Sequence, residues 1–303
     1  MLKYNGKTYE RGFRMLEFIK LLQSVSTPFS DRFFMAVSDI CSPVILSIIA
    51  VIVYWGIDKK KGVCIAVITS WNVGLNTVIK NIFKVPRPFL KDSGIRRIDT
   101  HSSYGYSFPS GHSQVISGAS SACYMAFKNN AIKIIAIIVS VLVAFSRMYL
   151  GVHTPVDVLT GLGLGLVVSV LAYRKIFKLV SENSYIKLIA CTLPLYISML
   201  ILRDEDLYKI TGLITFFLIG YIIDEKTFAF TPLGNVFERV LSVVAGLIIL
   251  LTVKTTVDKL PDGILFGYIR YAVLGITISL ITPCIFILAR RLWRCVKRES
   301  SDI

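Results

Sequence analysis

Long apolar runs separated by short polar connectors dominate this chain. Nine of them stand out, near residues 41–57, 63–83, 111–127, 131–145, 155–173, 186–202, 208–223, 240–257 and 266–289. A helix that crosses a bilayer needs roughly 20 mostly apolar residues. Within lipid each backbone N–H and C=O must be bonded inside its own segment, which selects helices for such runs. The pattern therefore predicts an all-α, polytopic transmembrane helical bundle of about nine spans. The run at 131–145 is short, but its helix can continue through Tyr149. Near the N-terminus the pattern changes. Phe13, Leu16, Ile19, Leu22 and Val25 recur at helical spacing, while Arg14, Glu17 and Lys20 interrupt them. That is an amphipathic helix, which can lie on the membrane surface or pack on the bundle.

Composition agrees with a membrane protein. Hydrophobic residues make up 54% of the chain, charged residues only 17%, and the mean hydropathy is +0.66. A soluble domain carries more charge and shorter apolar runs. The first apolar stretch lies too far along the chain to be a cleaved signal peptide. The net charge of +15 could suggest nucleic acid. However, the basic residues cluster at the ends of apolar runs, where they act as topology signals and headgroup contacts. No nucleic-acid partner is expected. The six cysteines show no metal-type spacing and mostly fall inside apolar runs, so neither a metal nor a disulfide framework is expected.

Counting loops across nine crossings places Lys59, Lys60, Lys61, Lys128, Arg174, Lys175, Lys178, Lys226, Arg290, Arg291, Arg294, Lys297 and Arg298 on one face. The segments 84–109, 147–153, 203–207 and 259–265 fall on the other. The more basic face is assigned to the cytoplasm. Lys3, Lys7, Arg11 and Arg14 run against that assignment. The chain divides into a core, 1–180, of the amphipathic helix and five spans, and an extension, 181–303, of about four spans.

Three polar stretches interrupt the core: K-N-I-F-K-V-P-R-P (Lys80 to Pro88), P-S-G-H (Pro109 to His112) and S-R-M-Y-L-G-V-H-T-P-V-D (Ser146 to Asp157). The chain has only three histidines, and two of them are here. Each stretch sits at a span end, and because each crossing reverses direction these ends meet on one face. Ionisable groups in an apolar chain are costly and mark function. Lys80 ends a stripe, Asn72–Asn76–Lys80, at spacing four, and Pro86 should terminate that helix. Arg87 can then face Lys80 across a phosphate, its planar fork matching phosphate oxygens. In S-F-P-S-G-H, Pro109 suits a first helical position, with Ser107 or Phe108 as the cap. The N–H groups of Ser110, Gly111 and His112 would then form an anion site, with His112 placed to give a proton to a leaving oxygen. Arg147 precedes His153 by six residues and Asp157 follows it by four, one helical turn, so the carboxylate can orient the imidazole. Thr154–Pro155–Val156–Asp157 also reads as a capping box, and both roles can coexist. Gly161 and Gly165 form a small-residue face suited to helix packing. His101 reads as an exposed loop residue.

The order and spacing of the three stretches resemble the type-2 phosphatidic acid phosphatase superfamily, whose pattern is K-x6-R-P, P-S-G-H and S-R-x5-H-x3-D. The resemblance is firm over residues 80–165 and extends to 41–173 as a helical core. It implies a metal-independent, cofactor-free phosphatase with a phosphohistidine intermediate. His153 would attack, Asp157 would orient it and His112 would protonate the leaving oxygen. Lys80, Arg87, Ser110, Gly111 and Arg147 would hold the phosphoryl oxygens. The residues alone leave open which histidine attacks. A membrane setting points to a lipid phosphate or diphosphate substrate, with the site facing the periplasm, exterior or a lumen. A lipid phosphotransferase or headgroup transferase would use the same groups, and an anion transporter would need fewer of them. The charges of the extension are sparse within its spans, which argues against an ion pathway there.

Overall fold

The computed structural model describes residues 6–100, 103–232 and 234–299, which include the backbone but not every side chain of the terminal helices. His101 lies outside the described residues. The helices, in chain order, are α1 (Gly6–Ser24), α2 (Pro28–Ile40), α3 (Pro43–Gly56), α4 (Lys59–Phe83), α5 (Pro88–Lys91), α6 (Gly111–Phe127), α7 (Asn130–Tyr149), α8 (Pro155–Ser181), α9 (Tyr185–Ala190), α10 (Leu193–Leu202), α11 (Glu205–Thr227), α12 (Val236–Val257), α13 (Ile264–Ile276) and α14 (Thr282–Glu299). A π-helical turn, Thr277–Ile281, joins the last two. No strand occurs among the described residues.

Among the described residues seven helical stretches are long and apolar enough to cross a membrane: α4, α7, α8, α9 with α10, α11, α12, and α13 with α14. The bent pair α2 and α3, meeting at 44°, adds an eighth. Helix α6 is apolar but only 17 residues long. These stretches coincide with the nine apolar runs of the sequence, and the chain is a multi-span, all-helical membrane protein.

The chain forms two compact units, residues 1–47 with 71–173, and residues 48–70 with 174–303. In the first, α6 is the central helix. Its glycines and serines let neighbours approach at backbone distance. A Cβ on Gly161 of α8 would lie 2.6 Å from Ser110 O, and one on Gly165 would lie 2.2 Å from Gln114 O. A Cβ on Gly163 would meet nothing within 4 Å. Only the 161/165 face is therefore committed to packing, as small-residue spacing in a membrane helix requires. On the other side, Gly118 of α6 lies against the Asn72 side chain of α4. Apolar packing continues through Leu46, Val115, Ile116, Ala119 and Val143.

Helix α1 packs on the bundle. Ile19 is fully buried, and Leu22 lies against the cluster of Tyr149, Leu150 and Val152. The Gln23 amide donates to Arg96 O at 2.9 Å and Tyr149 O at 3.0 Å, and accepts from Arg96 N at 2.9 Å. Phe18, Leu21 and Val25 are exposed. Val25 thus leaves the buried face it shares by spacing, because the helix ends at Ser24. Helix α2, absent from the sequence reading, starts at a capping box between Thr27 and Ser30.

The second unit holds a buried ionic group. Lys59, read in sequence as one of three loop lysines, is 5% exposed and pairs with Asp224, which is fully buried. Glu225 lies 2.5 Å from the same ammonium, and the Tyr221 ring sits 5.1 Å beneath it. Charge is therefore less sparse here than the apolar runs suggest. The π-helical turn frees carbonyls from the regular ladder. Two are met by side chains: Trp55 Nε1 donates to Ile278 O at 2.8 Å and the Tyr54 hydroxyl to Ser279 O at 3.1 Å.

Candidate active site

Lys80 occupies the last turn of α4, and its stripe faces the start of α6. The Asn76 amide donates to Pro109 O at 3.2 Å and to Gln114 Oε1 at 3.0 Å, and Gln114 Nε2 donates to Asn72 O at 3.2 Å. These buried polar bonds fix α4 against the first turn of α6. They leave Lys80 Nζ 3.8 Å from where a Cβ on Gly111 would stand. Helix α4 ends at Phe83, with Lys84 in the left-handed region at φ 49°, so the break falls before Pro86 rather than at it. The Arg87 guanidinium is buried and fully engaged. Nε donates to Gly105 O at 3.1 Å, Nη2 to Tyr104 O at 2.6 Å and Nη1 to Val152 O at 3.2 Å. Nη1 also lies 3.3 Å from His153 Nε2.

The start of α6 differs from the sequence expectation. The cap is Ser110, not Ser107 or Phe108, and the helix opens at Gly111, not Pro109. Ser110 takes this place because its hydroxyl accepts from Ser113 N at 3.4 Å, the standard way to satisfy a first-turn donor. Its own N–H donates to Asp157 O at 3.0 Å, so it is withdrawn from the anion site. The N–H groups of Gly111 and His112 stay in the first turn, where no intrahelical acceptor exists. His112 is buried, and its Nε2 makes no hydrogen bond among the described residues. Buried polar atoms without partners are rare.

Arg147 is fully buried near the end of α7. Its Nη1 donates to Asp99 Oδ2 at 2.8 Å and to Ser38 Oγ. His153 is buried in the turn between α7 and α8, with Nδ1 3.7 Å from Asp157 Oδ2. The same carboxylate oxygen accepts from Thr154 N at 2.8 Å, while Asp157 N donates to Thr154 Oγ1 at 3.3 Å. The capping and the histidine-facing placements of Asp157 therefore coexist. Burial pushes the His153 imidazole well below its ordinary value; the nearby Arg87 and Arg147 act the same way, and Asp157 opposes them. The ring is held neutral at physiological pH.

The structure thus brings all eight sequence candidates into one region of the first unit. It adds residues that the sequence reading did not place in the site. Asp99 is the counter-charge of Arg147, and an acid two residues after the Arg96–Arg97 pair was the available signal. Ser107 stands between His153 and Asp157, two residues before Pro109. Asn76 and Gln114 supply the polar packing beneath Gly111. Among the described residues no three His, Cys, Asp or Glu side chains converge as a metal-ligand set.

Two known families of sequence match the chain. The PAP2 superfamily model matches residues 61–181, and the model of the PAP2 superfamily phosphatase transmembrane extension matches residues 208–292. The chain is similar to a probable sphingosine-1-phosphate phosphatase of Dictyostelium discoideum, 31% identical over 52% of this chain and 43% of that protein. It is also similar to the undecaprenyl-diphosphatase BcrC of Bacillus subtilis, 31% identical over 43% of this chain and 65% of that protein. The chain spans less than two thirds of the length of either relative. Among solved structures it resembles the crystal structure of Aquifex aeolicus LpxE, with 23% identity, a TM-score of 0.48, and coverage of 52% of this chain and 94% of that one. Since the two models together take in more than half of its residues, and the motif-bearing helices fall inside the first of them, the chain belongs to the PAP2 superfamily.

Proposed function

We propose that this protein is an integral-membrane phosphatase that hydrolyses a lipid phosphate or diphosphate through a phosphohistidine on His153, without a metal or cofactor. The observation that carries the reading is the setting of the His153 ring. Its Nδ1 side faces Ser107 and Asp157, its Nε2 side faces Arg87 at 3.3 Å, and burial keeps it neutral. A neutral imidazole with one nitrogen oriented has a lone pair available on the other.

The Nε2 lone pair forms a bond to phosphorus as the bond from phosphorus to the leaving oxygen breaks. His112 gives its proton to that oxygen. Water then attacks phosphorus, the N–P bond breaks, phosphate leaves, and the water proton returns to His112. Lys80, Arg87, Arg147, the Ser110 hydroxyl and the Gly111 N–H hold the phosphoryl oxygens, where negative charge grows in the transition state. For Arg87 and Arg147 this means sharing a guanidinium already bonded to carbonyls or to Asp99.

A lipid substrate suits the surroundings. Ile82, Phe83 and Leu90 flank Lys80 and Arg87 and are exposed, and the Phe83 and Phe108 rings meet edge-on at 5.3 Å. An apolar chain can rest there while its headgroup reaches the cations. The names of the relatives point to phosphorylated lipids of the sphingoid and polyprenyl types. The basic bias of the opposite loops supports a site on the non-cytoplasmic face.

The test is inorganic phosphate release by purified protein in EDTA, from sphingosine-1-phosphate, phosphatidate and a polyprenyl diphosphate. Release that His153→Ala reduces by at least about 10³-fold supports the reading. Release unchanged in that variant overturns the histidine mechanism. Little release from any substrate by the folded wild type would point to a transferase.

A further inference from the structure

Ser107 lies outside the three sequence stretches and touches both members of the histidine–carboxylate pair. Its side chain is fully buried, and its N–H donates to Val85 O at 2.8 Å, which fixes its backbone. Its Oγ stands 2.6 Å from Asp157 Oδ2, 3.3 Å from His153 Nδ1 and 3.4 Å from Val152 O. A hydroxyl has one proton to give and lone pairs to accept with. The shortest contact, to an ionised carboxylate, takes the proton, since charge-assisted bonds are the strongest available to it. What Oγ then presents to His153 is a lone pair, so Nδ1 must carry the imidazole proton. The direct route from Nδ1 to Asp157 Oδ2 is 3.7 Å, beyond hydrogen-bond reach.

We infer that Ser107 is a positioning residue of the reaction proposed above: its hydroxyl bridges His153 Nδ1 to Asp157 and, together with Arg87 Nη1 at 3.3 Å from Nε2, holds the tautomer whose Nε2 lone pair attacks. The inference rests on that reading of His153 as nucleophile. The chain Nδ1–H···Oγ–H···Oδ2 does two things. It sets the ring plane from a helix-external residue pinned at both backbone and side chain. It also conveys the carboxylate charge to the ring as Nε2 bonds to phosphorus and the imidazole turns positive, because a hydroxyl polarised by a carboxylate is a better acceptor. Asp157, already committed to Thr154 N at 2.8 Å, need not move. Ser107 itself does not reach the phosphoryl group, so its loss should affect turnover and not binding.

Two measurements test this. In phosphate release, Ser107→Ala should lower kcat by about 10- to 100-fold, the range expected for one hydrogen bond to a charged group, with KM little changed. Ser107→Thr, which keeps a hydroxyl, should recover most of the loss. The second measurement needs no substrate. The chain has three histidines, so nitrogen-15 histidine spectra in detergent are simple enough to assign by single substitution. Wild type should show His153 as the Nδ1–H tautomer, and Ser107→Ala should show a mixture of the two tautomers. A wild-type Nε2–H tautomer overturns the inference, as does an unchanged tautomer with unchanged kcat in Ser107→Ala. Absence of phosphate release by the wild type, with the tautomer still shifting in Ser107→Ala, would instead fault the phosphatase reading and leave the bridge standing.

Discussion

The two units of this chain bury charge in different ways. In the second, Lys59 meets Asp224 and Glu225, the Tyr221 ring covers it, and the freed carbonyls of the π-helical turn are met by Tyr54 and Trp55. In the first unit Arg147 pairs with Asp99, His153 faces Asp157, Arg87 is bonded mainly to backbone carbonyls, and His112 Nε2 makes no hydrogen bond among the described residues. A guanidinium held by carbonyls, close to a buried histidine nitrogen without a protein partner, is a setting that an anionic ligand completes. Buried charge by itself therefore does not locate chemistry in a membrane protein; what sets the first unit apart is that its buried cations surround two buried histidines.

The contrast can be broken by exchange of effects. The largest effect should be His153→Ala, which removes activity by at least about 10³-fold while leaving thermal unfolding in detergent near that of wild type. Lys59→Ala should do the reverse. It leaves Asp224 buried without its cation and should cost about 3–5 kcal/mol of stability, read from the unfolding transition, with kcat of the surviving folded protein retained. If Lys59→Ala were stable but inactive, the ionic group of the second unit would belong to the reaction after all. Next in size is Gly165→Ala. Its new methyl would press on Gln114 O and force α8 from α6, costing about 1–3 kcal/mol and lowering activity through the shifted α6 start. Gly163→Ala, two residues away, meets nothing within 4 Å and should be neutral or raise stability by up to about 1 kcal/mol. Equal effects at the two glycines would refute backbone contact between α6 and α8.

A titration sharpens the picture further. Burial lowers the His153 value below its unfolded one, so the neutral ring is favoured by the native state. The sign follows: this contribution to stability is present above the ordinary imidazole value of about 6.5 and is lost as pH falls through that value toward the lowered one. In nitrogen-15 spectra His153 should remain neutral at about pH 5, where an ordinary imidazole is almost wholly protonated. Protonation near pH 6.5 would put the ring in water.

What the sequence made legible follows from locality. The apolar runs and the end of α6 at 127 are local hydrophobic patterns, and they match the helices found. Clustering of the eight candidates was also readable, because it needs only span parity. The features that were not readable depend on distant partners. Lys59 looks like Lys60 and Lys61 until a residue 165 positions away turns out to face it. Asp99 and Ser38 gain meaning only through Arg147. The α6 cap moved from Ser107 or Phe108 to Ser110 because capping depends on where a hydroxyl points, which spacing does not encode. Ser107, released from that duty, bonds to Asp157 instead.

The Gln23 side chain also sets an order of events during synthesis. Its amide bonds to the backbone of Arg96 and of Tyr149, residues 73 and 126 positions further along. Helix α1 therefore leaves the ribosome long before its partners exist, and its apolar face needs temporary cover, which a bilayer surface can give. Docking waits until α7 has been made.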